Sequence, residues 1–581
     1  MIFDHLRKKD ILLLAASVGL IFIQVWLELE IPGYMSKITN IMTGGEGAVL
    51  DEGIPMMACA FGSLIMSVVV GLIIAYVGTS MGKSMRAKQF DRVESYSAAE
   101  INKFSIYSLI TRSTNDVNQV QMAFILGFMA MVRAPIMAVM AIMKISTKNI
   151  GWVEVSTVCI LAMVISIIVI LWFTFPRFKK IQWMNDDVNR LTKESLSGIR
   201  VVHAYNAEAY QEAKFQAANA ELTGTHLSVT RAMAFLLPIM TTTMCMLSLG
   251  IYWMGAIIIS EAGAPAERLV DFSDMIVFSS YAMQIIMAFM MLIIVFMVLP
   301  RARVSARRID EVIRTEPTVL DGTVTESPEG QEGRISFNDV SFRFPRASED
   351  ALTDISFDVD RGETVAIIGP TGSGKSTLVR LILRFYDVSG GSITLDGVDV
   401  KDYTLAALHK KVGYVPQKAV MFNGTIYSNV NYGDTEGERT EDDVRKAIEI
   451  AQATQFVENT EGGYQGKVAE GGTNLSGGQK QRISIARAVC RKPEFYIFDD
   501  SFSALDYKTD RMLRTRLKEE TAGVTTLIVA QRIGTIKDAD KIIVLNEGRI
   551  VGMGRHQDLL KDCDVYYQIA RSQLSEEELV R

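Results

Sequence analysis

The chain has 581 residues, 49% hydrophobic and 22% charged, with a formal net charge of −6. That length exceeds one compact domain, and the mildly acidic balance supplies no electrostatic footprint for nucleic acid. The five cysteines (Cys59, Cys159, Cys245, Cys490, Cys563) are scattered without a CxxC pair or a His/Cys cluster, so they support neither a disulfide framework nor a zinc site.

Six apolar runs are long enough to span a bilayer, near residues 11–30, 55–81, 118–146, 151–175, 232–260 and 272–299. Arg7-Lys8-Lys9 before the first run invites a signal-peptide reading. The run is too long for one, however, and no small-residue cleavage site follows, so it reads as a membrane helix. Residues 82–117 and 176–231 are rich in Lys and Arg, as is the stretch after the sixth run, whereas 31–54 and 261–271 lean acidic. This asymmetry predicts that the N-terminus, both long loops and the C-terminal half are cytoplasmic. Helix formers and helical spacing in the long loops predict spans that continue as helices well past the bilayer. Two loop segments are marked as amphipathic turns, Ser108–Asp116 and Gly198–Asn206.

Arg133, beside Pro135 in the third run, is a charge at membrane depth and so raises a functional hypothesis. Helices that extend past the bilayer put it near the headgroups instead, where it snorkels, and that reading is preferred. The last two spans carry Met233, Met240, Met244, Met246, Met283, Met287, Met290, Met291 and Met297. Pliable thioethers suit a promiscuous apolar cavity, although packing accounts for most of them. Residues 314–333, with Pro317 and Pro328, read as a linker between a membrane domain (1–313) and a soluble domain (334–581).

In the soluble half, Thr364–Ile368 is a buried strand, followed by Gly369-Pro370-Thr371-Gly372-Ser373-Gly374-Lys375-Ser376 and a helix from Thr377. This is GxxxxGK[ST] in a strand–loop–helix context. The glycines let backbone N–H groups close around phosphate at a helix N-terminus; Lys375 reaches the β/γ-phosphates and Ser376 binds Mg²⁺. A second apolar strand, Phe495–Phe498, ends in Asp499 and Asp500. Asp499 is the Mg²⁺-side acid, and Asp500 stands where a base or water-orienting carboxylate is useful. Leu475-Ser476-Gly477-Gly478-Gln479 opens a helix and forms another anion site, one that suits a nucleotide held by another copy or partner.

These motifs together resemble an ATP-binding cassette (ABC) exporter half-transporter, and the resemblance covers essentially the whole chain. It implies a multidomain fold: an all-α, six-helix transmembrane domain followed by an α/β P-loop nucleotide-binding domain. It also implies ATP and Mg²⁺ as cofactors, with Phe344 stacking on adenine, Gln417 as the Q-loop glutamine near Mg²⁺, and Ser503–Asp506 as the D-loop. The two loop segments become candidate coupling helices. The place implied is multi-pass in a bacterial cell membrane, and the cargo is a small amphipathic molecule carried by alternating access.

Two positions depart from the family pattern. Asp500 stands where a Glu is usual, and Gln531 where a switch histidine is expected. A carboxylate set back by ~1 Å costs on the order of 100-fold in rate. Gln531 can donate to a γ-phosphate but cannot carry a proton. The pattern resembles the degenerate-site subunit of heterodimeric bacterial multidrug exporters, with the intact signature serving a partner's ATP. A slowly hydrolysing homodimer and a non-transporting ATP-gated regulatory subunit are the alternatives.

Overall fold

The computed structural model describes residues 6–42, 47–146, 149–262, 264–345, 347–433 and 439–575. Its contacts divide the chain into two units, Met1–Arg92 with Tyr107–Arg314, and Val93–Ile106 with Thr315–Arg581.

The first unit is all helical. Its elements are α1 (Lys8–Met42), α2 (Val49–Glu94), α4 (Ile106–Thr111), α5 (Val117–Ser146), α6 (Ile150–Ser197), α7 (Ile199–Ala204), α8 (Glu208–Ala234), α9 (Leu236–Glu261) and α10 (Pro265–Arg314); α3 belongs to the second unit. Six passages long and apolar enough to cross a membrane run through them, each between 35 and 54 residues long. A bilayer core takes roughly 20 residues, so the helices carry on beyond it as expected. Within the membrane, satisfied backbone hydrogen bonds make helix the stable local form, which also accommodates Pro32, Pro55, Pro135, Pro176 and Pro300 inside helices.

The core of this unit gathers Val25, Leu29, Ile74, Trp152, Phe278 and Ile286, all buried. Trp152 and Phe278 lie 5.7 Å apart between ring centres, and the Tyr281 hydroxyl donates to the Leu29 carbonyl at 2.9 Å. Outward faces remain apolar, with Leu12, Phe61, Trp172, Phe175 and Trp253 exposed, as a lipid-facing surface requires. Met240 is part of the core and Met233, Met244, Met290 and Met291 pack against it, while Met246 and Met287 face outward. Packing therefore employs five of the nine methionines singled out above; the Met297 side chain lies outside the described residues.

Arg133 has a partner within the bundle: its Nη2 donates to both oxygens of Glu28 on α1, at 3.0 and 2.8 Å.

Ser108–Asp116 is also more than an amphipathic turn. Arg112–Asp116 forms a π-helical turn between α4 and α5. It turns Asp116 inward, where its carboxylate takes the Ser305 hydroxyl at 2.9 Å and pairs with Arg308 at 3.2 Å. Arg112 reaches the Arg308 carbonyl and Glu311 in turn, so this segment clamps the end of α10 within its own unit.

The second unit is α/β. Its strands are β1 (Ile335–Phe342), β2 (Leu352–Val359), β3 (Thr364–Ile368), β4 (Gly390–Leu395), β5 (Val398–Asp399), β6 (Val412–Val415), β7 (Gly424–Thr425), β8 (Lys467–Val468), β9 (Phe495–Asp499), β10 (Thr525–Val529), β11 (Lys541–Asn546) and β12 (Arg549–Gly554). The central sheet runs β12-β11-β3-β10-β9-β6, parallel except for the β12 edge. An antiparallel sheet, β2-β1-β4-β5, shares one core with it through Phe337, Phe357, Leu378 and Ile497. The parallel strands read as continuous apolar runs because both of their faces are covered.

Two outlying segments complete this unit. Helix α3 (Ala98–Phe104) opens with a capping box, Ser97 and Glu100 bonding each other's backbone, and sets Ala98 and Ala99 against the core of this unit. Asn102 donates to the Tyr386 hydroxyl at 3.1 Å. The stretch that packs with this core thus lies one turn of chain upstream of the marked Ser108–Asp116. Residues 315–333 are bound chain and not a slack tether. Gly322, Thr323 and Val324 donate to the carbonyls of Tyr403 and Asp402, Val319 is buried, and Ser327 meets Lys411.

Candidate functional site

The site forms where β3, β9 and β10 end, the edge at which an open parallel sheet presents its chemistry. After β3, the loop Gly369–Gly374 turns into α11 (Lys375–Ile382), with Gly374 as the N-cap at φ 100°. At Gly369 a Cβ would stand 2.0 Å from the Leu545 carbonyl oxygen, so only glycine lets the loop lie this close to β11. Ser373 is buried, while Thr371 and Gly372 face solvent.

Lys375 Nζ lies inside this loop, donating to the Gly369 and Pro370 carbonyls at 2.8 and 2.7 Å. Burial holds the ammonium below its usual range, against the pull of Asp500 and Asp499. Next to it, the Ser376 hydroxyl donates to Asp499 at 2.9 Å. Burial pushes both the Asp499 and Asp500 carboxyls above the usual carboxylate range. The hydroxyl and the carboxylate form a hard oxygen pair that fits Mg²⁺, an ion that takes one or two protein oxygens and leaves the rest to phosphate and water. Among the described residues no group of three His, Cys, Asp or Glu side chains could hold a metal.

Asp500 sits at φ 48°, a left-handed turn that short Asp tolerates. Its Oδ2 accepts from Gln417 at 3.0 Å and from Gln531 at 2.8 Å. The structure therefore brings Lys375, Ser376, Gln417, Asp499, Asp500 and Gln531 into one group. Gln417 is aimed by its neighbours: Ser501 Oγ donates to the Val415 carbonyl at 2.9 Å and Gln481 Nε2 to the Pro416 carbonyl at 3.2 Å. Gln531 is held from behind by Gln573, whose amide donates to its carbonyl at 2.8 Å. Sequence reasoning missed these three positioning residues; only Ser501, next to the paired aspartates, carried a signal.

Phe344 is half-buried, edge-on to Tyr386 at 5.4 Å and to Phe342 at 4.8 Å. Tyr386 was missed as well, and it links that aromatic to Asn102 of α3. Thr377 lies in the first turn of α11.

The segment Leu475–Gln479 stands apart from this group. Ser476 and Gln479 cap their own helix, Gly477–Cys490: Gln479 Oε1 takes the Ser476 N–H at 2.8 Å and Ser476 Oγ takes the Gln479 N–H at 3.3 Å. Gly477 is exposed with open space where a Cβ would be, and Gly478 is half-buried, so this helix end has an accessible face. Asp506 of the D-loop segment caps the next helix through the Thr509 N–H, and the hydrogen bonds of Thr509 hold its carboxyl below the usual range.

Two family models match the chain, the ABC transporter model over residues 352–503 and the ABC transporter transmembrane region over 14–289. An ABC transporter ATP-binding protein of Mycobacterium bovis is 37% identical over 519 residues, covering 89% of this chain and 86% of that one. The ATP-dependent lipid A-core flippase of Vibrio vulnificus is 30% identical over 510 residues, covering 87% and 85%. Among solved structures, a bacterial Atm1-family ABC exporter with ATP bound superposes with a TM-score of 0.77 at 24% identity, covering 98% of this chain and 100% of that one. That last likeness speaks to the fold.

Proposed function

The chain belongs to the ABC transporter family, and from that premise we propose that it is the half of an exporter whose own ATP site turns over slowly or not at all. The membrane-embedded, ATP-binding half-transporter follows from the family; the slow site is the further step. One observation carries it: the carboxylate next to the metal-side acid is a short Asp500, and its Oδ2 is bonded by two amides, Gln417 and Gln531. Neither amide can take up or release a proton near neutral pH. A base shortened by one methylene and faced by a non-titrating partner is a poor activator of water.

The intact capping box at Ser476–Gln479, with Gly477 open to solvent, supports the complementary half of the proposal. That helix end serves the γ-phosphate of ATP held by a second half-transporter, which supplies the Glu and His absent here. The exposed Ile199, Val201 and Tyr205 around α7 suit docking to that partner. ATP binding closes the paired cassettes, the cavity turns outward, and hydrolysis at the partner's site resets the cycle. Mg²⁺ is held by Ser376 and Asp499. An amphipathic or lipid-like cargo fits the apolar membrane unit and is the kind of cargo named for the Vibrio relative.

The test is ATP turnover by the purified chain. Alone it is expected to be slow, and Asp500→Glu with Gln531→His is expected to raise it by about tenfold or more. Fast turnover by the unmodified chain, abolished by Lys375→Ala, would falsify the slow-site reading and favour a homodimer.

A further inference from the structure

A cavity of about 500 Å³ opens among α1, α2 and α5, with Gln24, Glu28, Phe61, Ser63, Leu64 and Arg133 on its walls. Its volume lies in the range of small-ligand sites. On one side stand the Arg133–Glu28 pair and Gln24, whose Nε2 donates to Glu28 Oε1 at 3.0 Å. The Gln24 side chain is almost wholly buried, and its Oε1 has no hydrogen-bond partner. An unmade acceptor in apolar surroundings is costly, and natural proteins keep few of them. Of the Arg133 nitrogens, only Nη2 is engaged among the described residues. Phe61 and Leu64 are exposed on the outer, apolar side of the same cavity.

We propose that this cavity binds the headgroup of a phospholipid carrying a primary amine. The polar wall holds one cation and one anion, so a purely anionic or purely cationic ligand meets a repelling charge. A zwitterion meets both charges favourably. Gln24 Oε1 has almost no exposed surface, so it meets a ligand as the side chain turns toward the cavity; the partner it then gains is an N–H donor, which a primary ammonium has and a quaternary one lacks. The ammonium therefore sits between Gln24 Oε1 and Glu28, and the phosphate takes the unused N–H groups of Arg133. The chains run along Phe61 and Leu64 into the surrounding bilayer. The inference stands on α1, α2 and α5 alone and does not depend on how fast the ATP site turns over.

Native mass spectrometry of the full chain in detergent, with phosphatidylethanolamine, phosphatidylcholine or phosphatidylglycerol added, tests it. Phosphatidylethanolamine is expected to bind about tenfold tighter than either of the others, and Gln24→Leu is expected to remove most of that preference. The double variant Glu28→Gln, Arg133→Met, which leaves no unpaired charge, is expected to remove it as well. ATP binding by each variant checks that it has folded. Equal binding of the three lipids, or a preference unchanged in both variants, overturns the proposal. Glycerophosphoethanolamine, a headgroup without chains, is expected to compete at least about tenfold more weakly, and competition at parity overturns the lipid as occupant. Lipid selectivity without substrate flux would instead sink the exporter reading and leave this one standing.

Discussion

At the scale of single residues, the site without nucleotide is under electrostatic load. Asp499 and Asp500 are pushed up by burial and Lys375 is pushed down by it, so burial opposes the charged form of all three. For an acid with a raised folded pKa, the stabilising contribution is complete below the unfolded value and is lost as pH rises through the folded one. Asp500→Asn, which keeps the size and tolerates the left-handed turn, is therefore expected to raise the melting temperature of the nucleotide-free protein at pH 7.5. The gain should be about 1–2 °C and shrink as pH falls toward the carboxylate range. A scan of melting temperature against pH checks both sign and window; a lower value at pH 7.5 would show that attraction to Lys375 outweighs burial. Lys375, Ser376 and Asp499 were legible in the sequence because strand, glycine loop and helix leave a pattern at fixed spacing. The pairing of Arg133 with Glu28 was not, since nothing local says which helix faces which.

At the scale of elements, the expectation for residues 314–333 shows what composition can and cannot say. Gly and Pro announce irregular chain, and irregular chain is what the structure has there. They do not announce its hydrogen-bond partners, which here lie on Asp402 and Tyr403. A Cβ on Gly322 would come within 2.2 Å of the Asp402 oxygen, too close for any local adjustment of a flexible side chain. Gly322→Ala is expected to cost the cassette about 1–3 kcal/mol, read as a lower urea midpoint, whereas the same change at Gly330, where a Cβ meets nothing within 4 Å, acts only through its φ of 85° and should cost less. Equal losses would mean that the strap is not held by that contact. Helix α3 escaped notice for a related reason: Ser97 and Glu100 spell a capping box, but amphipathic turns upstream and downstream look alike until one of them meets a core.

At the scale of the whole molecule, binding free energies at two linked sites must be reciprocal. If closing the cassettes reorients the cavity, then a transported compound must change nucleotide affinity by the factor by which nucleotide changes its own. For the proposed assembly of two half-transporters, ATP affinity measured with and without substrate is expected to shift about 5-fold or more. No shift with any compound, lipid or peptide would leave a nucleotide-binding membrane protein that does not transport. The architecture was readable because six apolar runs followed by two phosphate-type loops admit few folds. The proposed division of labour between two sites rests on two departures from the family pattern, Asp500 and Gln531.

Helix α3 has a consequence for how the protein is made. The ribosome releases Ala98–Phe104 before four of the six membrane passages exist, and long before β1. The helix must wait, its Ala98 and Ala99 face uncovered, until the chain from Ile335 onward arrives to receive it. The cassette's core lies within residues 335–545, but part of the cover over it comes from upstream. Its completion reports that everything in between has been synthesised, so a truncated or misinserted chain leaves an open hydrophobic face for quality control to recognise.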